Sequence, residues 1–538
     1  MTANHVQVVQ VIFLFLLCLV VIFAAIAQRI NIPYPILLTV AGVGIAFVPH
    51  VPRVPLDPDL VFLIFLPPLL HAAAWQTNWR EFKRNLLSIA LLALGLVAFT
   101  VVGIATFSDR FITALDWKSG LVLGAVISTT DAITASALAK SIGLPQHIVD
   151  LLEGESLVND ATGLLALEFG LDILLRNHAP GFAAGSVRLL WLIGGGIGMG
   201  LVIGLVSRWF ERFIQDGPIE MAVSLVVPYA AYLAAEEAHA SGVLAVVACG
   251  LYLSRYSPQF LSPESRLQVT GAWSALNFIL NGLIFILIGL QLPYVLGRIS
   301  QYSHWTLLKY GLAFSIVLIL LRLVWMFPSA LISRLVRRYL LHQQQGRMNA
   351  REVFLVGWTG MRGVVALAAA ISLPVTLGDG RPFAQRDLIV FLTFSTIFVT
   401  VVVQGLTLAP LVRALKLTAA APGCDEEVAA RRTILREIIA YLESEEISAR
   451  TADDKHGYED LLDRYRDLLD SLGANPLAAD SPQPAPDVFR LRRKLYVETM
   501  QMQRRLLLQL RDQGDIGDDV QRRLERELDL SEARFTSQ

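Results

Sequence analysis

The chain is short of charge. Only 17% of its 538 residues are Asp, Glu, Lys or Arg, where a soluble domain carries about 25%. The shortage is local. Residues 418–538 hold 18 Lys/Arg and 25 Asp/Glu, and the 417 residues before them only 27 and 21. This excludes a single soluble enzyme and a disordered chain. Cysteine is scarce as well: Cys18, Cys249 and Cys424 are scattered and odd in number, which argues against a disulfide framework or a thiolate metal site. A net charge of −1 removes the electrostatic case for nucleic acid. A phosphate loop, a metal-ligand cluster and a nucleophile–base set are all missing, which leaves little to support a membrane-bound enzyme. Met1–His5 carries no Lys or Arg, so the apolar stretch behind it is not an obvious signal peptide.

Long apolar runs are what the chain has in quantity. A membrane helix needs roughly 20 apolar residues to cross a hydrocarbon core of about 30 Å. Thirteen such stretches begin near Val6, Ile36, Leu60, Leu86, Gly120, Ile148, Val187, Met221, Val243, Ala272, Trp305, Val353 and Leu388, the second, eighth and ninth being short. The fold class expected is therefore an all-α polytopic membrane protein of about thirteen transmembrane helices, over residues 1–417. Residues 418–538 are expected to form a helical cytoplasmic tail, with helical stretches near Glu426–Ile447, Tyr458–Leu472, Asp487–Arg511 and Val520–Leu530. Such a tail is either a solvated appendage or a regulatory domain. An odd number of spans puts the termini on opposite sides. With the N-terminus outside, the basic clusters Arg80, Lys83, Arg84 and Arg334, Arg337, Arg338, Arg347, Arg351 face the cytoplasm, as the positive-inside rule requires.

A charge at the centre of a membrane helix costs on the order of 2.5–3.5 kcal/mol on insertion scales, so those that persist point to a task. Asp131, Asp160 and Arg362 lie near the middle of their spans, and Glu155 about a turn from the middle of its own. In the fifth span the run Ser128-Thr129-Thr130-Asp131 interrupts apolar sequence. A helix broken there exposes carbonyls and a carboxylate at mid-depth, which is how many secondary transporters hold ions. An intact helix with Ser and Thr bonded to the preceding turn is the alternative. In the sixth span Ser156 and Asp160 share one helical face, and Glu155 and Asn159 the neighbouring one. The first pair offers oxygens to a small hard cation; the second is placed to hold the site together. In the twelfth span Gly357, Gly360 and Gly363 form a strip where another backbone can approach. Arg362 between them needs an anion, and Glu155 is the expected partner. Spans five and twelve occupy equivalent places in two halves of six spans set around the seventh. Matching interruptions in two halves point to inverted repeats.

At these residues the chain resembles the monovalent cation:proton antiporters of the bacterial NhaP and animal NHE type. Four segments carry the likeness: Phe65-Leu66-Pro67-Pro68-Leu69-Leu70, Ser128–Asp131, Gly154–Asp160 and Gly360–Gly363. The resemblance covers roughly residues 6–415. It implies a thirteen-span homodimer with a dimerisation bundle and a six-helix core, in the plasma membrane of a bacterium. It implies that Asp160 takes cation and proton by turns, and that Asp131, Ser156 and the Thr130 carbonyl complete the cation site. It further implies that Glu155 pairs with Arg362 and that Asn159, before Asp160, marks the electroneutral branch. No cofactor is implied beyond the transported Na⁺ or Li⁺ and H⁺. Exchange of K⁺ for H⁺ is the alternative within transport, because oxygen ligands barely separate the two ions. An ion channel is the alternative class, though nothing here repeats like a selectivity filter.

The chain departs from the family pattern twice. Ala132 follows Asp131 where the family often has Pro, so the break needs another cause. His71 and Ala72 stand where the family often has Phe-Glu, which removes an acid expected to steady Asn159. His71 reads as a polar side chain near a helix end.

Overall fold

In the computed structural model the described residues are 3–417, apart from 31, 50–60, 78, 113, 132–141, 177–181, 215, 261–262, 300, 340–347 and 378–380, followed by 424–448, 462–463, 465–466 and 469. The chain divides into two compact units, Met1–Ala420 and Ala421–Gln538. Among the described residues the regular structure of the first unit is helical, with one isolated bridge between Thr376 and Pro382.

Its helices are α1 (Ala3–Arg29), α2 (Tyr34–Ala46), α3 (Leu66–Gln76), α4 (Trp79–Ala90), α5 (Val97–Phe111), α6 (Trp117–Ser128), α7 (Gln146–Arg176), α8 (Phe182–Glu211) and α9 (Gly217–Glu237). There follow α10 (Gly242–Phe260), α11 (Pro263–Leu290), α12 (Leu292–Arg298), α13 (His304–Tyr339), α14 (Ala350–Trp358), α15 (Val364–Ile371), α16 (Arg386–Val399) and α17 (Gly405–Leu415). Seven helical segments among the described residues are long and apolar enough to cross a membrane, and four shorter ones are apolar: Tyr34–Ala46, Val61–Gln76, Trp117–Ser128 and Gly242–Ser257. This is a multi-pass membrane protein.

Three π turns interrupt the helices: Val61–Phe65 before α3, Leu91–Leu96 between α4 and α5, and Thr400–Gln404 between α16 and α17. A π turn widens the helix and releases carbonyls from the regular ladder. Side chains from other helices take them up. The Tyr229 hydroxyl donates to the Ile64 carbonyl at 3.1 Å, Trp325 Nε1 to Leu91 at 3.2 Å, and the Thr162 hydroxyl to Ala93 at 2.6 Å.

Small residues set the closest approaches. On α2 and α11, Gly42 and Gly289 face each other so tightly that a Cβ on Gly289 would stand 2.5 Å from the Thr39 carbonyl oxygen. On α8, Gly196 and Gly200 meet the backbone of Ser241 and Ala245. Packing of this kind replaces the hydrophobic drive that lipid does not supply.

In the second unit, a further helix, α18 (Cys424–Ser448), covers the expected stretch Glu426–Ile447. Arg466 of the next segment pairs with Glu443 at 2.7 Å. The other expected tail helices, Asp487–Arg511 and Val520–Leu530, lie outside the described residues.

Candidate functional site: two broken helices crossing beside Asp160

The fifth and twelfth apolar stretches both break. Helix α6 starts on Asp116, whose carboxylate accepts the Ser119 N–H at 3.1 Å, and stops at Ser128. There the Ser128 hydroxyl turns back to the Ala125 carbonyl at 2.7 Å, and Thr129 is extended (φ −64°, ψ 139°). Of the two alternatives read from the sequence the break is the one present: the hydroxyl bonds the preceding turn, but the helix ends there and is not intact. Ala132, which follows Asp131, lies outside the described residues. Helix α14 opens with a capping box between Asn349 and Glu352 and stops at Trp358; α15 resumes at Val364. Gly360 to Gly363 lie between them, where the entropy that Gly loses in a helix favours a break.

The two breaks cross. The Asp131 N–H donates to the Met361 carbonyl at 2.9 Å. The Arg362 guanidinium donates to the carbonyls of Ser128 and Thr129 at 2.7 and 3.0 Å. These are the last carbonyls of α6, without helical partners and at the negative end of its dipole, so a cation is the fitting group to cover them.

Helix α7 passes beside the crossing. The Ser156 hydroxyl donates to the Thr130 carbonyl, and Asn159 Nδ2 to the Thr130 hydroxyl at 3.0 Å. Thr130 is thus gripped twice from one helix, at two positions three apart. Asn159 has found the partner that the missing family acid left open. Gly163 lets the end of α6 lie on α7: a Cβ there would meet Thr129 at 2.5 Å. Asp160 is buried, and its Oδ1 has no hydrogen-bond partner. A cavity of about 40 Å³ is lined by Thr130, Asp131, Ser156, Asp160 and Gly363 on the polar side, and by Leu66, Leu69 and Leu70 of α3 on the other. About one probe sphere, ~10–15 Å³, suffices for a water, so the space admits a small ion with water. All four expected ligand residues line one cavity.

Three expectations are corrected. Glu155 does not pair with Arg362. Its carboxylate takes both terminal nitrogens of Arg322 on α13, at 2.5 and 2.8 Å, and Arg322 also donates to the Val356 carbonyl at 3.2 Å. Arg322 and Glu155 are 2% and 1% exposed, so the fork-to-fork geometry is fully desolvated. Arg362 needs no carboxylate of its own, because the open end of α6 supplies its anionic surface. The sequence reading passes over Arg322, although the rule that singles out Asp131 applies to it: it sits at the middle of His304–Tyr339. His71 is the second correction. It stands in the middle of α3, 1% exposed, with ring centroids 5.8 Å from Trp75 and 5.2 Å from Trp273, and neither ring nitrogen is hydrogen-bonded.

The glycine strip also differs from expectation. What approaches Gly357, Gly360 and Gly363 is side chain: Leu323 and Met326, then Arg322, then Asp131. A Cβ on Gly363 would stand 2.7 Å from Asp131 Cβ. The strip makes room for both the buried ion pair and one acid of the site.

Comparison with known proteins places the chain in a family. The family described as "Sodium/hydrogen exchanger, transmembrane" matches residues 14–414. An uncharacterised Na⁺/H⁺ exchanger of Mycobacterium tuberculosis is 31% identical over 98% of this chain and 96% of its own. The Na⁺/H⁺ antiporter ApNhaP of Aphanothece halophytica is 34% identical over 77% of this chain and 75% of its own. The structure of the sodium proton antiporter MjNhaP1 from Methanocaldococcus jannaschii superposes with a TM-score of 0.61, covering 78% of this chain and 99% of that one at 18% identity, a likeness of fold. With the crossing, the buried acids and a match over most of its length, the chain belongs to the sodium/hydrogen exchanger family of cation/proton antiporters.

Proposed function

We propose that the protein exchanges Na⁺, or Li⁺, for H⁺ by alternating access, with cation and proton competing for Asp160. One observation carries the reading: Asp160 and Asp131 line the same small cavity, at the point where two helix breaks cross. Ionised Asp160 holds a cation together with Asp131, the Ser156 hydroxyl and the Thr130 carbonyl, an all-oxygen set suited to a small hard ion. Protonated Asp160 is neutral and releases it. The empty, charged site is costly to carry past apolar walls such as Leu66, Leu69 and Leu70, so transit favours the loaded forms. One Na⁺ then returns for one H⁺, with no net charge moved. Glu155 and Asn159 support the site, Glu155 through Arg322 and Asn159 through the Thr130 hydroxyl.

In this account thirteen spans cross a bacterial plasma membrane, the N-terminus is outside, the tail is cytoplasmic and two copies form a homodimer. The basic clusters and the family likeness support that arrangement. In vesicles of purified protein, Asp160→Asn is expected to abolish cation-driven pH change; robust flux in that variant excludes the role of Asp160. Running the same assay with Li⁺, Na⁺ and K⁺ identifies the cation. Flux that saturates and requires the counter-ion excludes a channel.

A further inference from the structure

The extended segment between α14 and α15 carries a backbone amide that no helix ladder can satisfy. The Arg362 N–H lies past the end of α14, in a residue that is 1% exposed, and an unpaired amide so buried is costly. Its acceptor is a side chain from a different helix: Thr400 Oγ1 of the π turn Thr400–Gln404, at 3.1 Å. Thr400 is completely buried, and its own proton goes to the Thr396 carbonyl at 2.8 Å. A hydroxyl has one proton and two lone pairs, so this orientation leaves the oxygen facing Arg362.

The peptide fixed in this way itself touches Asp131: its N–H is that of Arg362, and its carbonyl, that of Met361, accepts the Asp131 N–H. Immediately after it, Gly363 lies against the Asp131 carboxyl, close enough that an added Cβ would stand 2.8 Å from Oδ2. The side chain of Arg362 itself reaches the end of α6. A shift or rotation of this peptide therefore moves the backbone that carries Asp131 and Thr130. We propose that Thr400 is a positioning residue of the cation site, acting through the Arg362 amide to hold the crossing in register. The π turn at Thr400 places the hydroxyl against an irregular backbone, in keeping with the frequency of π turns at functional sites. This inference rests on the exchange reading above and names a further residue that shapes the same site.

The test compares Thr400→Val, which keeps the shape and loses the acceptor, with Thr400→Ser, which keeps it. In vesicles the Val variant is expected to raise the half-saturating Na⁺ concentration about tenfold, the scale of one lost buried hydrogen bond, with a smaller effect on the maximal rate; Ser is expected to stay near wild type. A purely structural role lowers the yield of folded protein and the maximal rate and leaves half-saturation alone, and that result overturns the proposal. So does a Ser variant as impaired as Val. Should Val fail to fold, Thr400→Cys carries the test, because its thiol is a poor acceptor of similar size; half-saturation equal to wild type in that variant overturns the proposal. The Na⁺-induced rise in unfolding temperature, measured on the same proteins in detergent, separates the two layers. Wild-type protein without exchange contradicts the transport reading, while Thr400 stands or falls on whether Val shifts the Na⁺ dependence of unfolding.

Discussion

At the residue scale, the site depends on which charges sit in the membrane and what each one touches. The rule that a central charge points to a task singles out Asp131, Asp160, Arg362 and equally Arg322. It finds them without saying who pairs with whom. Glu155 and Arg322 are separated by 167 positions, and helical spacing within one span cannot show such a contact. The pairing yields a prediction. Glu155→Gln or Arg322→Met leaves one buried charge uncompensated and is expected to cost about 3–5 kcal/mol of stability, seen as a lowered unfolding temperature in detergent. Replacing both, as Glu155→Leu with Arg322→Met, is expected to recover much of it; a double variant as unstable as the sum of the singles argues against the pair. Gly363→Ala tests the room made for Asp131. Its φ is −131°, which Ala adopts freely, so the effect comes from the contact with Asp131, whose Cβ is fixed to its backbone and must move. A rise in half-saturating Na⁺ with a lowered unfolding temperature is expected, and unchanged cation dependence contradicts it.

At the scale of elements, the sequence identifies most of the helices and both breaks. Runs of apolar residues and the polar run Ser128–Asp131 are local signals, and the helices start and stop close to them. The π turns are not legible in this way. Leu91–Leu96 is apolar throughout, and the groups that serve its widened geometry, Trp325 and Thr162, which donate to the Leu91 and Ala93 carbonyls, lie far along the chain. The position of His71 is hidden for the same reason: two tryptophans from α3 and α11 close over it, and only the fold brings Trp273 there. These dependencies can be measured. Trp325→Phe keeps the ring and removes the N–H, leaving the Leu91 carbonyl of a π turn unsatisfied, so a loss of about 1–3 kcal/mol is expected. Unaltered thermal unfolding contradicts a role for that bond. Gly289→Ala is expected to force α2 and α11 apart and to lower the unfolding temperature further, because the obstacle is backbone and cannot rotate away.

At the scale of the whole molecule, the uneven charge separates a membrane unit from a tail, and the contact division at Ala420 falls near the change in composition at 418. Within the membrane unit two helices end short of their span, and a third passes their crossing with Asp160 facing it. The family match supports cation/proton exchange, and the proposed mechanism places that exchange at Asp160 beside Asp131. Electroneutral exchange implies that an imposed membrane potential, worth about 2.3 kcal/mol per charge per 100 mV, leaves the final pH gradient in vesicles unmoved. The central claim is narrower: sodium and proton occupy Asp160 by turns. Proton release on adding Na⁺ to purified protein, measured at fixed pH in weak buffer, tests it most directly. The account expects a proton to leave for each sodium ion bound wherever Asp160 starts protonated, and none to leave from Asp160→Asn. Sodium binding without proton release, or equal release from that variant, contradicts it.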